Sequence, residues 1–195
     1  MPRRPVLGMI CLVLAGASGL GAWQWPNGRP ISSTIHETVE HTVSARPSTG
    51  DWSGTMFLVR GVSGDIVIEG DASADSVRVH AIRQGEGRGR AEARASIDAP
   101  APSLRWTDER TVLLTAAALP ADPATDWRIV LPVRMALNVR TDAATVTVRD
   151  VAGSVDVESE IGDVRVTAAG KIAARSGAGR VWVNGVECTP GIGGG

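Results

Sequence analysis

Between residues 153 and 183 the chain reads GSVDVESEIGDVRVTAAGKIAARSGAGRVWV, and two apolar residues separated by one other keep returning. The pairs are Val155/Val157, Val164/Val166, Ile172/Ala174 and Val181/Val183, each with a glycine two residues ahead: Gly153, Gly162, Gly170 and Gly179. Two more pairs, Leu137/Val139 and Val146/Val148, extend the series backwards. The first members are then separated by steps of 9, 9, 9, 8 and 9. Spacing of i and i+2 puts each pair on one face of a strand. A strand of about five residues and a turn of about four make a nine-residue unit. The glycines are expected to supply turn conformations with positive φ.

Hairpins could give this rhythm as a meander. A stack explains its constancy better, because units that climb in one direction must each cover the same distance. The expected fold class is therefore all-β: a β-solenoid, a single-stranded β-helix-like stack with a half-coil of about nine residues. Two facing strands make a coil of about eighteen, with apolar pairs inside a thin core. The residues between the pairs point outward. One sheet should show Asn138, Asp156 and Ala173, and the other Thr147, Arg165 and Trp182, with Arg165 set for a cation–π contact with Trp182. Composition fits a thin core: 43% of residues are apolar, yet only 4% are aromatic, with no tyrosine and one phenylalanine.

Upstream, the alternation begins after residue 31, with Ile35, Val39 and Val43 in reach of a first strand. Gly54 precedes Met56 and Leu58, and Gly64 precedes Ile66 and Ile68, so both sets are read as inward pairs. Val77 and Val79 share a face of a further strand. A short helical or irregular insertion is expected around 88–96, where GEGRGRAEARAS interrupts the pattern. SLRWTDERTVLLTA reads as a hairpin, and WRIVLPV as a strand that Pro132 ends or bends.

The first residues read as an export signal: two arginines, then a charge-free apolar run. Residues 1–22 are a signal peptide cleaved after Ala15-Gly16-Ala17, or an uncleaved anchor formed by residues 6–25. In the second reading Arg3 and Arg4 lie inside and Trp23 and Trp25 at the outer interface. Ala17 stands where a lipoprotein needs its cysteine, so no lipid anchor is expected. Residues 23–30 form a linker, 31–187 the domain and 188–195 a disordered tail. Cys11 lies in the leader, which leaves Cys188 as the only thiol of the exported part and allows no internal disulfide.

The run ETVEHTVSA, the turn Val62-Ser63-Gly64-Asp65-Ile66, the strand ending at Leu131-Pro132 and the turn Gly162-Asp163-Val164 recur in an order that resembles the adhesin-like family of bacterial envelope proteins. The resemblance covers residues 31–183. It implies a β-solenoid-like domain outside the membrane, with no catalytic residues to carry over. The chain departs from the family pattern at Ala144, where a turn glycine is expected, and at the glycine-rich GEGRGR.

No chemistry-bearing motif competes with this reading. His36, His41 and His80 are read as scattered surface histidines rather than metal ligands. Asp65, Asp142, Asp150, Asp156 and Asp163 do not repeat in phase and lack the G-G-x-G-x-D pattern of calcium-binding rolls, so they are read as solvated turn residues. The net charge of −1 gives no footprint for nucleic acid. No cofactor is expected. The candidate binding surface is the row Thr147, Arg165 and Trp182, with Trp182 either touching a ligand or capping the stack.

Three functions follow. The first is a non-catalytic, extracytoplasmic display module facing an envelope component, periplasmic or at the cell surface. The second is a membrane-linked accessory of an envelope-stress or signalling system, acting through a protein partner. The third is a carbohydrate-active β-helix enzyme, which would need paired carboxylates in a groove.

Overall fold

The computed structural model describes residues 35–46, 52, 54–98, 100–116 and 125–188. The proposed leader, anchor and linker, and residues 189–195 of the tail, lie outside the described residues. Among those described, no helix is long and apolar enough to cross a membrane.

The chain is nearly all β, as expected. In chain order the elements are β1 (Ile35–Ala45), β2 (Met56–Arg60), β3 (Gly64–Asp71), β4 (Val77–Gly87) and α1 (Arg90–Ile97). There follow β5 (Ser103–Trp106), β6 (Thr111–Thr115), β7 (Thr125–Pro132) and the long β8 (Ala136–Val151). The last are β9 (Val155–Ile161), β10 (Val164–Ala168), β11 (Ile172–Ala178), β12 (Val181–Val183) and β13 (Val186–Cys188). Helix α1 stands where the insertion was expected, and β5 and β6 pair antiparallel as the hairpin.

These strands form two facing layers joined through β8. One layer runs β1-β4-β7-β3-β8-β10-β12-β13, the other β5-β6-β2-β8-β9-β11. The first half of β8 lies in the second layer, between β2 and β9, and its second half in the first layer, between β3 and β10. At one end β1 and β5 approach each other, and the layers nearly close there.

The middle of the stack is parallel, with coils in register. Val164 pairs with Val146 and Val155 with Leu137, while Val181 pairs with Val164 and Ile172 with Val155. The one short step in the sequence has a local cause. Thr167 pairs with Arg149 and Ala168 with Val151, so Asp150, at φ 58°, is an extra corner residue with no counterpart one coil on.

Three features depart from a uniform stack. The order of coils does not follow the chain: β2 and β3 lie between the coil made by β6 and β7 and that made by β8. Antiparallel strands close the ends, β4 and β1 beside β7, β5 beside β6, and β13 beside β12. The phase of β2 is also one residue away from the sequence reading. Phe57 and Val59 are buried and pair with Leu137 and Val139, whereas Met56 is exposed and Leu58 half-buried on the outer face. A one-residue slip exchanges the two faces of a strand, and the core accepts only one of them.

The core is the column of inward pairs, with Ile66, Ile68, Val146, Val148, Val155, Val157, Val164 and Val166 all buried. Each such side chain contributes roughly 1.5–3 kcal/mol. Trp127 is buried too, its indole N–H donating to the Ser63 carbonyl at 2.9 Å. At the last coil Ile172, Ala174 and Val181 are only partly buried.

The corner glycines serve mainly close approach. A Cβ on Gly162 would collide with the carbonyl of Ala144, one on Gly153 with that of Met135, and one on Gly170 with that of Gly153. Gly64 and Gly162 also have positive φ, 95° and 123°, but Gly153 and Gly170 do not. The expectation of positive φ at every turn glycine is therefore corrected: the shared requirement is backbone against backbone one coil below.

Candidate functional site

The outer face of the first layer is built by the alternation that builds the core. With Val164 and Val166 turned inward, Arg165 must point out, and parallel register sets it between Thr147 and Trp182. Beyond Thr147 the same row continues through Val67, Arg128 and His80. The structure thus brings the three candidate residues into one column.

The Arg165 guanidinium carbon lies 4.2 Å from the centroid of the Trp182 ring. Arg165 Nη2 also donates to Asp163 Oδ2 at 2.9 Å. Asp163 Oδ1 accepts the backbone N–H of Arg180 at 3.0 Å. That N–H first, and then the positive charge of Arg165, hold the Asp163 carboxyl below its ordinary range. On the neighbouring strand Glu187 pairs in register with Trp182 and stands 3.9 Å from Arg180. Trp182 is half-buried, and one face of its ring is already taken by Arg165. A ligand stacking there must displace the guanidinium, whereas one bearing an anionic or carbonyl group can be met by Arg165 in place. A chemistry of exposed cations and one indole is suited to binding.

The opposite outer face carries Asn138, Asp156 and Ala173 in one row, also as expected. Arg60 Nη2 donates to Asn138 Oδ1 at 2.6 Å, and Asn138 Nδ2 donates to Asp156 Oδ2 at 2.9 Å. Arg140 and Glu158 form a neighbouring ion pair at 3.4 Å. Among the described residues, no three side chains of His, Cys, Asp or Glu are grouped so as to hold a metal ion.

Comparison with solved structures gives two distant likenesses. One is a "putative cell adhesion protein" from Clostridium sporogenes, at 10% identity and a TM-score of 0.42, covering 74% of this chain and 97% of that one. The other is a "putative adhesin" from Bacteroides fragilis, at 13% identity and a TM-score of 0.34, covering 73% and 72%. No family model and no curated protein matches the chain.

Other placements differ from the sequence reading. His41 is buried on the inner face of β1, not exposed, and neither of its ring nitrogens has a hydrogen-bond partner among the described residues. Burial first, then the charges of Arg83 and Arg94, depress its pKa. The alternation Val39, His41, Val43 already carried that signal. His80 is half-buried and meets Glu40 Oε2 at 3.2 Å. The side chain of His36 lies outside the described residues. Cys188, assigned to the tail, is the exposed last residue of β13. Strand β13 exists because Asn184 and Gly185, at φ 50° and 81°, make a two-residue hairpin turn. An Asn-Gly pair between apolar residues is a hairpin signal that the repeat obscured.

A buried polar ladder was also overlooked. Thr141 Oγ1 donates to Ser159 Oγ at 3.2 Å, and Ser159 Oγ lies 3.1 Å from the Ala144 carbonyl. One coil on, Ser176 Oγ donates to the Gly162 carbonyl at 2.7 Å. These three residues share a register position, and Ser159 and Ser176 meet corner carbonyls while Thr141 meets Ser159.

Proposed function

We propose that this chain is a non-catalytic β-solenoid display module of the adhesin-like kind, acting outside the cytoplasm. Its parallel coils would present a column of side chains to an envelope component. The observation that carries the reading is the outward column Thr147, Arg165 and Trp182, held in register from inside by valine pairs. A stack of this kind fixes the spacing of outward groups at about 4.8 Å from strand to strand, so a repetitive surface meets a repetitive display. The mechanism is binding without turnover. Supporting its location are the two arginines and the apolar run at the start of the chain.

The test is co-sedimentation of the chain with purified cell-wall sacculi and, separately, with lipid vesicles, beside a Trp182→Ala and an Arg165→Ala variant. Saturable binding to sacculi that both substitutions weaken is expected. Absence of binding to sacculi, or binding indifferent to both substitutions, would refute the display reading at this face.

A further inference from the structure

The two layers end differently at the last coil. In the first layer, β13 covers the edge of β12. In the second, β11 is the final strand, pairing with β9 on one side and, among the described residues, with no strand on the other. It is seven residues long, and its burial alternates, with Ile172, Ala174 and Ser176 half-buried. One coil below, Val155, Val157 and Ser159 in the same register are fully covered. The inward side of β11 therefore packs as a strand awaiting the next coil.

Its backbone is oriented for that. The Val155 N–H donates to the Lys171 carbonyl at 2.8 Å. In a parallel pair the groups alternate, so Ala173 also turns its amide toward β9, while Ile172 and Ala174 turn theirs to the open edge. Natural edges are blunted by proline, charged side chains, bulges or a covering element, and β11 has no proline and no register shift. Here the strand IAARSGA carries Arg175 as its one charge.

Charge says what fits. On the outer face Arg140, Glu158 and Arg175 stand in one row, and Glu158 engages Arg140. Arg175 and the adjacent Lys171 make no ion pair among the described residues. With Glu158 engaged by Arg140, a carboxylate on the next strand would meet Arg175 as Glu158 meets Arg140. In a second copy paired about Ala173, Lys171 would face Arg175 of the other chain, since an isologous contact uses the same patch twice.

We infer that the free edge of β11 takes an extended segment of another protein, added as the next strand. That segment carries apolar residues over Ile172 and Ala174 and an acidic residue beside Arg175. Such strand addition draws affinity from main-chain hydrogen bonds and specificity from alternate side chains.

The experiment uses the full chain and two labelled, end-blocked peptides of alternating valine and threonine, one with a central glutamate on the threonine face and one with lysine there. Fluorescence anisotropy is expected to show the glutamate peptide binding at least about threefold tighter, from one exposed ion pair gained and one repulsion avoided. Arg175→Glu should invert that preference. Ala174→Pro should abolish binding without lowering the melting temperature, because its N–H faces the open edge, whereas Ala173→Pro should destabilise the fold. Equal affinity for the two peptides, no saturable binding of either, or binding that survives Ala174→Pro would overturn the inference. So would concentration-dependent dimerisation that Arg175→Glu abolishes, which would make the occupant a second copy. None of these readings depends on whether the Trp182 face binds sacculi.

Discussion

Gly153→Ala isolates the requirement for close stacking of coils. The added Cβ would meet the carbonyl oxygen and carbon of Met135 and the amide nitrogen of Ala136, all backbone, so no side chain can swing aside. The φ of Gly153 lies outside the left-handed region, and an alanine there incurs no backbone strain of its own. Forcing extra volume into a packed contact costs about 1–3 kcal/mol. Against that, alanine restricts the unfolded chain and returns about 0.4–1 kcal/mol. Because the collision is with backbone, the cost lies at the upper end, a net loss of about 2 kcal/mol, which for a chain of this size lowers the melting temperature by about 4–8 °C.

Two companions make the number interpretable. Gly89 has open space around its Cβ and an extended φ of −153°, so Gly89→Ala meets no collision and loses only the N-cap preference of glycine at α1, about 1 kcal/mol or less, and should melt within about 4 °C of the parent. Gly162 combines the same kind of collision, with Ala144, and a φ of 123°. Gly162→Ala should therefore lose a further 1–3 kcal/mol or so. Thermal unfolding followed by circular dichroism gives all three. If Gly153→Ala melts with Gly89→Ala, the coils do not stack as closely as described, and the steric account of the repeat fails.

Two further outcomes are expected. Because His41 has a depressed pKa in the fold, the unfolded chain binds its proton more readily. Stability should thus be insensitive to this group above its ordinary value of 6.5 and fall as pH drops through 6.5 toward the lowered native value. Chemical denaturation at a series of pH values, with His41→Leu removing that component, checks it; an unchanged pH profile in the variant refutes it. Ser159→Ala should cost about 1–3 kcal/mol, because the buried Thr141 hydroxyl loses its acceptor and the Ala144 and Ile161 carbonyls the one hydroxyl proton they share. A denaturant midpoint unchanged by the substitution would show that the ladder is not needed.

The fold was legible where the pattern was local. From Leu137 to Val183 a nearly constant step and an i, i+2 pair fix strand phase and the outward column together, and the register agrees at every apolar pair, shifting only at Asp150. At β2 four apolar residues stand in a row, Met56 to Val59, and composition alone cannot choose a face. The repeat could have chosen it: nine residues before Ile66 is Phe57. What no local pattern carries is the order of coils. The neighbours β2 and β8 are separated in the chain by β3 to β7, and their pairing depends on long-range closure rather than on any turn. The role of the glycines was misread for a related reason. Positive φ is a property of one residue, but collision with Met135 or Ala144 belongs to two coils.

The same division bears on function. Residues that face inward are tied to the repeat, and a charge at Val164 would sit unpaired among buried valines at a cost of several kcal/mol. Residues that face outward are placed by that repeat without being needed for it: Thr147, Arg165 and Trp182 share a column only because Val146, Val164 and Val181 do. A stack can therefore change its outer face while keeping its core. Its ends are less free. Strands β1, β4 and β5 turn antiparallel at one end, with α1 packed on β1 and β4. At the other, β13 covers one layer, and among the described residues no strand covers β11. A hairpin capping both layers would need an Asn-Gly turn after β11 as well as after β12. The residues there are Gly179 and Arg180, which lead straight into the next strand. Among the described residues the edge of β11 is thus left unpaired where the repeat gives way to the β12–β13 hairpin, and that is where specificity for a strand-like partner can be built without disturbing the coils beneath.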